Sequence, residues 1–284
     1  MQTNKQPRDN TQGLGTEPIG RLLLRLALPA MTAQLVNVLY NIVDRMYIGN
    51  IPDIGKTAIT GLGVAMPIIV FITAFSSLIG MGGAPLASIR LGAKDEARAQ
   101  RIMGNCVTLL TVAGVLLMAV IFVFKRPLLY AFGASGDTIQ YADQYLTVYN
   151  MGTLFVMFTM GLNNFINCQG FASVGMKTVL IGAVLNIILD PIFIFGFHMG
   201  VTGAALATIL SQLVSCIWVL RFLTGKHTHL HIQRKDLPIE WKLAGQVLLL
   251  GLSPFIMQAT ESLVQIVLNV GLQKYGGDVA VGAM

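Results

Sequence analysis

Charge is distributed very unevenly along the chain, and this feature most restricts the possible folds. Stretches with at most one Asp, Glu, Lys or Arg alternate with short polar segments, and only 11% of the residues are charged, against roughly 25% in a soluble domain. Most of these stretches reach the roughly 20 apolar residues with which an α-helix crosses a bilayer. The stretches are Leu26–Val43, Thr57–Ile89, Ile102–Phe124, Gln144–Met176, Thr178–Leu220 and Leu243–Gln273.

The longest stretch, Thr178–Leu220, is long enough for two helices, which we expect to be divided near Gly196–Gly203. The pattern therefore predicts an all-α integral membrane protein, a polytopic helix bundle with about seven transmembrane helices. The first residues are polar and glycine-rich and lack the apolar core of a signal peptide. The first transmembrane helix is thus expected to direct its own insertion.

The basic residues predict the orientation of the bundle. If the N-terminus is cytoplasmic, the tail and the loops after the second, fourth and sixth spans hold fourteen Lys and Arg residues, and the outer side holds five. Such an excess of basic residues marks the cytoplasmic side. The net charge of +6 then reflects topology, and we predict no nucleic-acid partner. The outer basic residues are Arg45, Lys56, Lys125, Arg126 and Lys274.

An internal repeat suggests two lobes. The segment LALPAMTAQLVNVLYNIVDRMYIG from Leu26 is similar to LGLSPFIMQATESLVQIVLNVGLQ from Leu250 when Pro29 is set on Pro254. Because many transporters are built from repeated halves, we expect a complete six-helix N-lobe and only the first helix of a C-lobe, with helices 8–12 missing after Met284. The predicted boundaries are 1–20 for a cytoplasmic tail, 21–223 for the N-lobe, 224–242 for a cytoplasmic linker and 243–284 for helix 7.

Asp190 is the only charged residue of its stretch. An ionisable group at membrane depth is costly and usually marks a pathway. Asn186 lies four residues earlier, on the same helix face, and Pro191 cannot donate the hydrogen bond that the Ile187 carbonyl would accept in a helix. These oxygens predict a site for a proton or a hard cation such as sodium. The alternative is a neutral Asp190 that only bonds a neighbouring helix.

Two more carboxylates are predicted within spans. Asn37, Asn41 and Asp44 share one face of the first span, with Tyr40 beside them. The alternative for Asp44 is an interfacial carboxylate balanced by Arg45. Glu261 lies in the seventh span, flanked by glutamines. Its alternative is a cytoplasmic position, if that helix begins later than predicted.

Three weaker signals favour structural explanations. The run GMGGAP, Gly80–Pro85, contains the glycines of a phosphate loop but lacks a following Lys-Ser/Thr, so close helix packing is favoured. The histidines of HTHLH, His227, His229 and His231, could bind a metal, yet a basic solvated loop is the favoured interpretation. The three cysteines are expected to be packing residues. No nucleophile and base pairing is recognisable, so we predict a protein that is not an enzyme.

The chain resembles the MATE family of multidrug and toxic compound extrusion transporters, and its bacterial NorM, DinF and MepA-like members in particular. The resemblance covers nearly everything from EPIGRLLLRLALPAMTAQL to the end. It rests on the order of LPAMTAQLVNVLYNIVDRMYIGNIP, GLGVAMPI, GMGGAPLASIRLGAKDEARA, LNIILDPIFIFGFHMGVTGAALATILSQ and GLSPFIMQATESLVQ.

The resemblance implies a twelve-helix, two-lobe antiporter that exports organic cations by alternating access. It implies an N-lobe cation site at Asp44, Asn186, Asp190 and Thr208, and a further site for a cation or substrate at Glu261. Asn37, Tyr40 and Asn41 are expected to line the cavity. No cofactor is expected beyond the coupling ion, H⁺ or Na⁺.

The sequence thus predicts a cation-coupled multidrug efflux antiporter for amphipathic, often cationic compounds, in the cytoplasmic (inner) membrane of a bacterium. Two alternatives stay open. A lipid-linked oligosaccharide flippase would need several cationic residues in its cavity for the pyrophosphate, whereas the deep charges here are acidic. A truncated, non-transporting membrane fragment would associate with a missing partner.

Overall fold

The computed structural model describes residues 19–225 and 228–283, and within these ranges every regular element is helical. A π turn, Ile192–Gly196, directly follows α6, and a short 3-10 turn, Arg234–Asp236, precedes α8. Most of the predicted tail, 1–20, lies outside the described residues. The helices are α1 Ile19–Gly49, α2 Gly55–Gly92, α3 Glu96–Ala131, α4 Ile139–Met151, α5 Thr153–Cys168, α6 Ala172–Pro191, α7 Val201–Thr224 and α8 Trp241–Gly282.

The helices confirm an all-α membrane bundle. Among the described residues, five helices are long and apolar enough to cross a bilayer: α2, α3, α6 with its π turn, α7 and α8. The pair α4 and α5 makes a sixth span, bent by 59° at Gly152. The helix α1 contains the predicted first span, Leu26–Val43, and is not among the helices that meet this criterion within the described residues. The seven predicted transmembrane helices therefore correspond to helices, and within the described residues five or six of them qualify as spans by length and composition.

The predicted limit between the fourth and fifth spans was wrong. The chain turns at Gln169–Phe171, so that Lys177 lies inside α6 and not between two helices. Gly170 has a φ of +83°, a conformation that glycine adopts without steric cost. The predicted division of Thr178–Leu220 is confirmed, because the helix ends at Gly196 and the next begins at Val201.

The glycine run in α2 is a packing motif. A Cβ on Gly80 would lie 2.6 Å from the Gly161 carbonyl oxygen of α5. A Cβ on Gly83 would lie 2.8 Å from the ring of Phe165, also on α5. A Cβ on Gly82 would overlap the backbone of α8. These glycines thus let α2 approach both α5 and α8 closely, as small residues allow in membranes. They lie inside a helix and not in a loop, so the phosphate-loop alternative is wrong.

The last helix, α8, packs more extensively against α2 than against any other described helix. At one end, Gly251 lies so close to α2 that a Cβ would overlap the Leu78 carbonyl. Polar side chains continue the contact towards the other end. Gln258 Nε2 donates to Ser77 Oγ at 2.7 Å, Ser262 Oγ to the Pro67 carbonyl at 2.9 Å, Asn269 Nδ2 to the Gly63 carbonyl at 3.2 Å, and Thr60 Oγ1 to the Asp278 carbonyl at 3.0 Å.

The segment between α7 and α8, predicted as a linker, is packed onto the bundle. The buried Gln169 side chain accepts hydrogen bonds from the Thr228 hydroxyl at 2.6 Å and from the Leu230 N–H at 2.9 Å. On α3, Asn105 Oδ1 accepts from the Glu240 N–H at 2.7 Å, and Thr108 donates to a linker carbonyl at 2.6 Å. The linker therefore attaches the start of α8 to α3 and α5.

We predict that Gly251→Leu separates α8 from α2. The new side chain would occupy the space of the Leu78 carbonyl, and overpacking a close contact costs about 1–3 kcal/mol. The matched control is Gly245→Leu, on the same helix, where nothing lies within 4 Å of the added Cβ. Thermal unfolding in detergent should show a lower melting temperature for Gly251→Leu only. Equal melting temperatures for the two variants would contradict this packing.

Candidate functional site

Three predicted site residues from α6 and α7 converge through direct hydrogen bonds. The side-chain amide of Asn186 donates to Asp190 Oδ1 at 3.2 Å and to Thr208 Oγ1 at 3.4 Å. The Thr208 hydroxyl in turn donates to the Ala204 carbonyl at 3.1 Å. Asp190 and Asn186 are buried, with relative exposures of 0% and 2%. The i, i+4 spacing of Asn186 and Asp190 thus forms the amide–carboxyl pair predicted from the sequence.

Asp190 lies where regular α-helix ends. Pro191 closes α6, and the chain continues as the π turn Ile192–Gly196, in which the Phe197 N–H donates to the Ile192 carbonyl at 2.9 Å. Because proline has no N–H to donate, the α-helical ladder is interrupted here. The predicted distortion at Pro191 therefore takes the form of a π turn, a local widening that often occurs at functional sites.

The fourth predicted residue, Asp44, reaches this group from α1. Asp44 is 6% exposed, and its carboxyl group lies within hydrogen-bonding reach of that of Asp190. Asp44 therefore faces the interior of the bundle and not the interface, which contradicts the alternative of an interfacial carboxylate. The structure brings Asp44, Asn186, Asp190 and Thr208 together from three helices, and we call these four residues the carboxyl cluster.

Three buried oxygens of the carboxyl cluster have no hydrogen-bond partner: Asp44 Oδ1, Asn186 Oδ1 and Asp190 Oδ2. Buried polar atoms are nearly always paired with protein groups, water or an ion. Hard cations prefer carboxylate and amide oxygens as ligands, and a proton shared by two facing carboxyl groups would also lower their repulsion. The donor set of the carboxyl cluster thus fits either H⁺ or Na⁺.

Two tyrosines that the sequence analysis missed lie next to the carboxyl cluster. The side chain of Tyr145, on α4, lines the same cavity as Asp44 and Thr208. Its ring stacks on that of Tyr149, with centroids 6.0 Å apart and an interplanar angle of 17°. Both residues are at most 5% exposed. Their i, i+4 spacing in a predicted span could have indicated them, because it places both on one helix face. A tyrosine buried in a membrane also needs a partner for its hydroxyl.

The carboxyl cluster adjoins a cavity of about 490 Å³ between the N-lobe helices and α8. The cavity is lined by both Asp44 and Glu261, and Glu261 lies well inside α8. The alternative that Glu261 precedes its helix is therefore wrong. Glu261 does not join the carboxyl cluster but lines the same cavity. The other predicted lining residues are also present: Asn37, Tyr40 and Asn41.

The remaining candidates do not form a site in the described part of the chain. His227 lies outside the described residues, and the ring of His229 stacks on Phe171 with centroids 6.3 Å apart. No group of three or more His, Cys, Asp or Glu residues within 19–225 and 228–283 could hold a metal ion. Cys106 and Cys216 are buried packing residues, as predicted.

Comparisons with known proteins identify the family. A family model described as MatE matches residues 29–192, which is more than half of the chain and includes Asp44, Asn186 and Asp190. The chain belongs to the MATE family. Multidrug export protein MepA of Staphylococcus haemolyticus is 28% identical over 258 residues, covering 91% of this chain and 57% of that protein.

Solved MATE structures share the fold. The MATE multidrug transporter DinF-BH superposes with a TM-score of 0.89 at 38% identity, over 95% of this chain and 60% of that one. The inward-facing conformation of a multidrug resistance MATE family transporter of the MOP superfamily gives a TM-score of 0.82 at 26% identity, over 92% and 59% of the two chains. The chain thus spans less than two thirds of the length of these relatives.

We predict that Asn186→Leu destabilises the protein by about 1–3 kcal/mol, because it removes a buried donor shared by Asp190 and Thr208. The control is Asn50→Leu, which removes an exposed amide that bonds only the Met46 carbonyl in its own helix. Chemical or thermal unfolding in detergent measures the difference. If both variants unfold alike, Asn186 does not hold the carboxyl cluster together.

Proposed function

We propose that the protein acts in cation-coupled multidrug efflux, as an antiporter that exchanges H⁺ or Na⁺ for amphipathic, cationic organic compounds. The observation that carries this proposal is the set of unpartnered oxygens of Asp44, Asn186 and Asp190 beside a large cavity. Membership of the MATE family and the likeness to a multidrug export protein support the same function.

The coupling cation binds between Asp44 and Asp190. Two buried carboxylates at close range repel one another, and a single positive charge between them removes most of that cost. Asn186 keeps Asp190 in place through its 3.2 Å hydrogen bond. A proton and a sodium ion both fulfil this role, so the coupling ion is a matter for experiment.

Cation binding and substrate binding are coupled through α1. This helix contributes Asp44 to the carboxyl cluster, and Asn37, Tyr40 and Asn41 to the cavity. It packs mainly against α6, which contributes Asp190. A cation in the carboxyl cluster favours the arrangement of α1 and α6 in which the two carboxyl groups are close. It does so because it binds that arrangement more tightly than the other, and only such a difference in affinity shifts an equilibrium. Alternating access then follows from the two arrangements.

The cavity suits amphipathic cations. Its lining includes two acidic groups, Asp44 and Glu261, while Met66, Met160 and aromatic rings supply polarisable apolar surface. Methionine side chains adapt to ligands of different shape. The similar protein DinF-BH is described as a multidrug transporter, and we propose that this protein likewise accepts several compounds that share an apolar body and a positive charge.

A flippase for lipid-linked pyrophosphates is not favoured. Such a substrate requires several cationic groups, whereas Arg45 is the single basic residue among those that line the described cavity. We further propose the cytoplasmic membrane of a bacterium as the location and a cytoplasmic N-terminus, from the excess of basic residues on that side.

We predict that Asp190→Asn abolishes gradient-driven efflux. The amide keeps the size and most contacts of the carboxyl group but cannot bind and release a cation in the same way. Efflux of a fluorescent cationic dye is measured in vesicles that contain the polypeptide at its full native length, under an imposed H⁺ or Na⁺ gradient. The gradient that drives efflux in the wild type identifies the coupling ion.

The matched control is Asp53→Asn. Asp53 is exposed and has a φ of +64°, a conformation that asparagine tolerates. This variant should transport like the wild type. Undiminished gradient-driven efflux by Asp190→Asn, with either ion, would overturn the proposed role of the carboxyl cluster.

A further inference from the structure

A second, smaller cavity of about 80 Å³ lies among α1, α5, α6 and α7, shares Asn37 and Tyr40 with the large cavity, and contacts the carboxyl cluster through Asn186 and Thr208. Small and polar residues recur along each of these helices at helical spacing, so that one face of each helix is polar. We call the polar and small residues that α5, α6 and α7 contribute to this lining the polar seam. It comprises Thr159 and Asn163 on α5, Thr178, Gly182 and Asn186 on α6, and Thr208, Ser211, Gln212 and Ser215 on α7.

The polar seam leads away from the carboxyl cluster towards the α5–α6 turn. From Asn186 to Thr178, α6 advances by eight residues, or about 12 Å at 1.5 Å per residue. On α7, the chain from Thr208 to Ser215 covers a similar distance in the same direction. The turn at Gln169–Phe171 lies on the face with the excess of basic residues, which we assign to the cytoplasm.

Unpartnered buried oxygens face this seam. Besides Asn186, the side-chain oxygens of Asn163 and Gln212 are buried and have no hydrogen-bond partner. Buried groups of this kind are commonly satisfied by ordered water. A volume of about 80 Å³ accommodates more than one water molecule, since each occupies about 30 Å³ in the liquid. The lining and its volume thus suit a short file of water molecules.

The polar seam narrows at its cytoplasmic end. Ser215 Oγ donates to the Thr178 carbonyl at 3.2 Å, and a Cβ on Gly182 would lie only 2.9 Å from the same hydroxyl oxygen. This constriction is far too small for a drug-sized molecule, whose sites measure several hundred Å³.

We propose that the polar seam is the route by which the coupling cation passes between the carboxyl cluster and the cytoplasm. The proposal rests on the proposed function for the existence of a coupling cation. The seam shares Thr208 and Gln212 with the large cavity, whereas Thr178, Gly182, Ser211 and Ser215 line the seam alone. The cation passes along these hydroxyl and amide oxygens and the water between them.

The first test is the access of Ag⁺, a thiol-reactive ion close in size to Na⁺, to a cysteine in the seam. Ser211→Cys is made in a background in which Cys106, Cys168 and Cys216 are replaced by alanine. The matched control is Ala205→Cys, a fully buried position on the same helix outside the seam. Ag⁺ is added to the cytoplasmic side of inside-out vesicles, and free thiols are counted with a maleimide after denaturation.

We expect Ser211→Cys to react at least roughly tenfold faster than Ala205→Cys, because reactivity follows access from water. Equal rates for the two variants would overturn the polar seam as a cation route. This readout requires no transport. If Ag⁺ reaches the seam but Asp190→Asn still shows undiminished efflux, the role of the carboxyl cluster is overturned while the seam is shown to be hydrated. Failure of the proposed function and failure of the polar seam therefore give different results.

The second test narrows the seam with Gly182→Val. The added side chain would meet Ser215 Oγ, so Ag⁺ access to Ser211→Cys and gradient-driven efflux should both fall at least roughly tenfold, as expected for loss of an open path. Binding of a fluorescent cationic dye in the large cavity should stay within about twofold of the wild type. The control, Gly245→Val, has open space around the new side chain. Normal Ag⁺ access in Gly182→Val would contradict the proposed constriction.

Discussion

The placement of Asp190 against Asp44 in the apolar interior is the constraint on which the rest of the N-lobe depends. A buried carboxylate is costly, and two facing one another are more so. The surrounding structure reduces this cost with Asn186 and Thr208. It nevertheless leaves one oxygen on each of Asp44, Asn186 and Asp190 without a partner. If a cation binds there, as proposed above, the site has two states of different stability, which is the property that the proposed antiport requires.

The helix α2 provides the rigid part of this arrangement. Its glycines allow α5 and α8 to approach so closely that side chains there would overlap backbone atoms. Close packing of this kind replaces the hydrophobic driving force that is absent between helices in lipid. The mobile elements we propose are different ones. The helix α1 is less apolar and carries exposed large side chains such as Leu35 and Met46, while α6 is interrupted at Pro191.

Much of the fold was predictable from the sequence because apolar stretches in a membrane have few alternatives to helices. The division after Gly196 and the inward position of Asp44 also followed from local patterns. The turn at Gln169–Phe171 did not, since no charge marks it and its position depends on Gly170 and on the anchoring of the linker by Gln169. The linker was expected as a soluble connector, and only its hydrogen bonds to α3 and α5 show it to be part of the bundle.

The sequence by itself determined which residues are out of place in a membrane: Asp44, Asp190 and Glu261, together with the amide one turn before Asp190. Helical periodicity also determined that Asn186 and Asp190 share a face, because that relation depends only on the backbone of one helix. The tertiary structure decided which faces meet. The rotation of α1, α6 and α7 about their axes is set by packing between residues far apart in the chain. That rotation places Asp44 and Thr208 near Asp190, and the polar seam next to the carboxyl cluster.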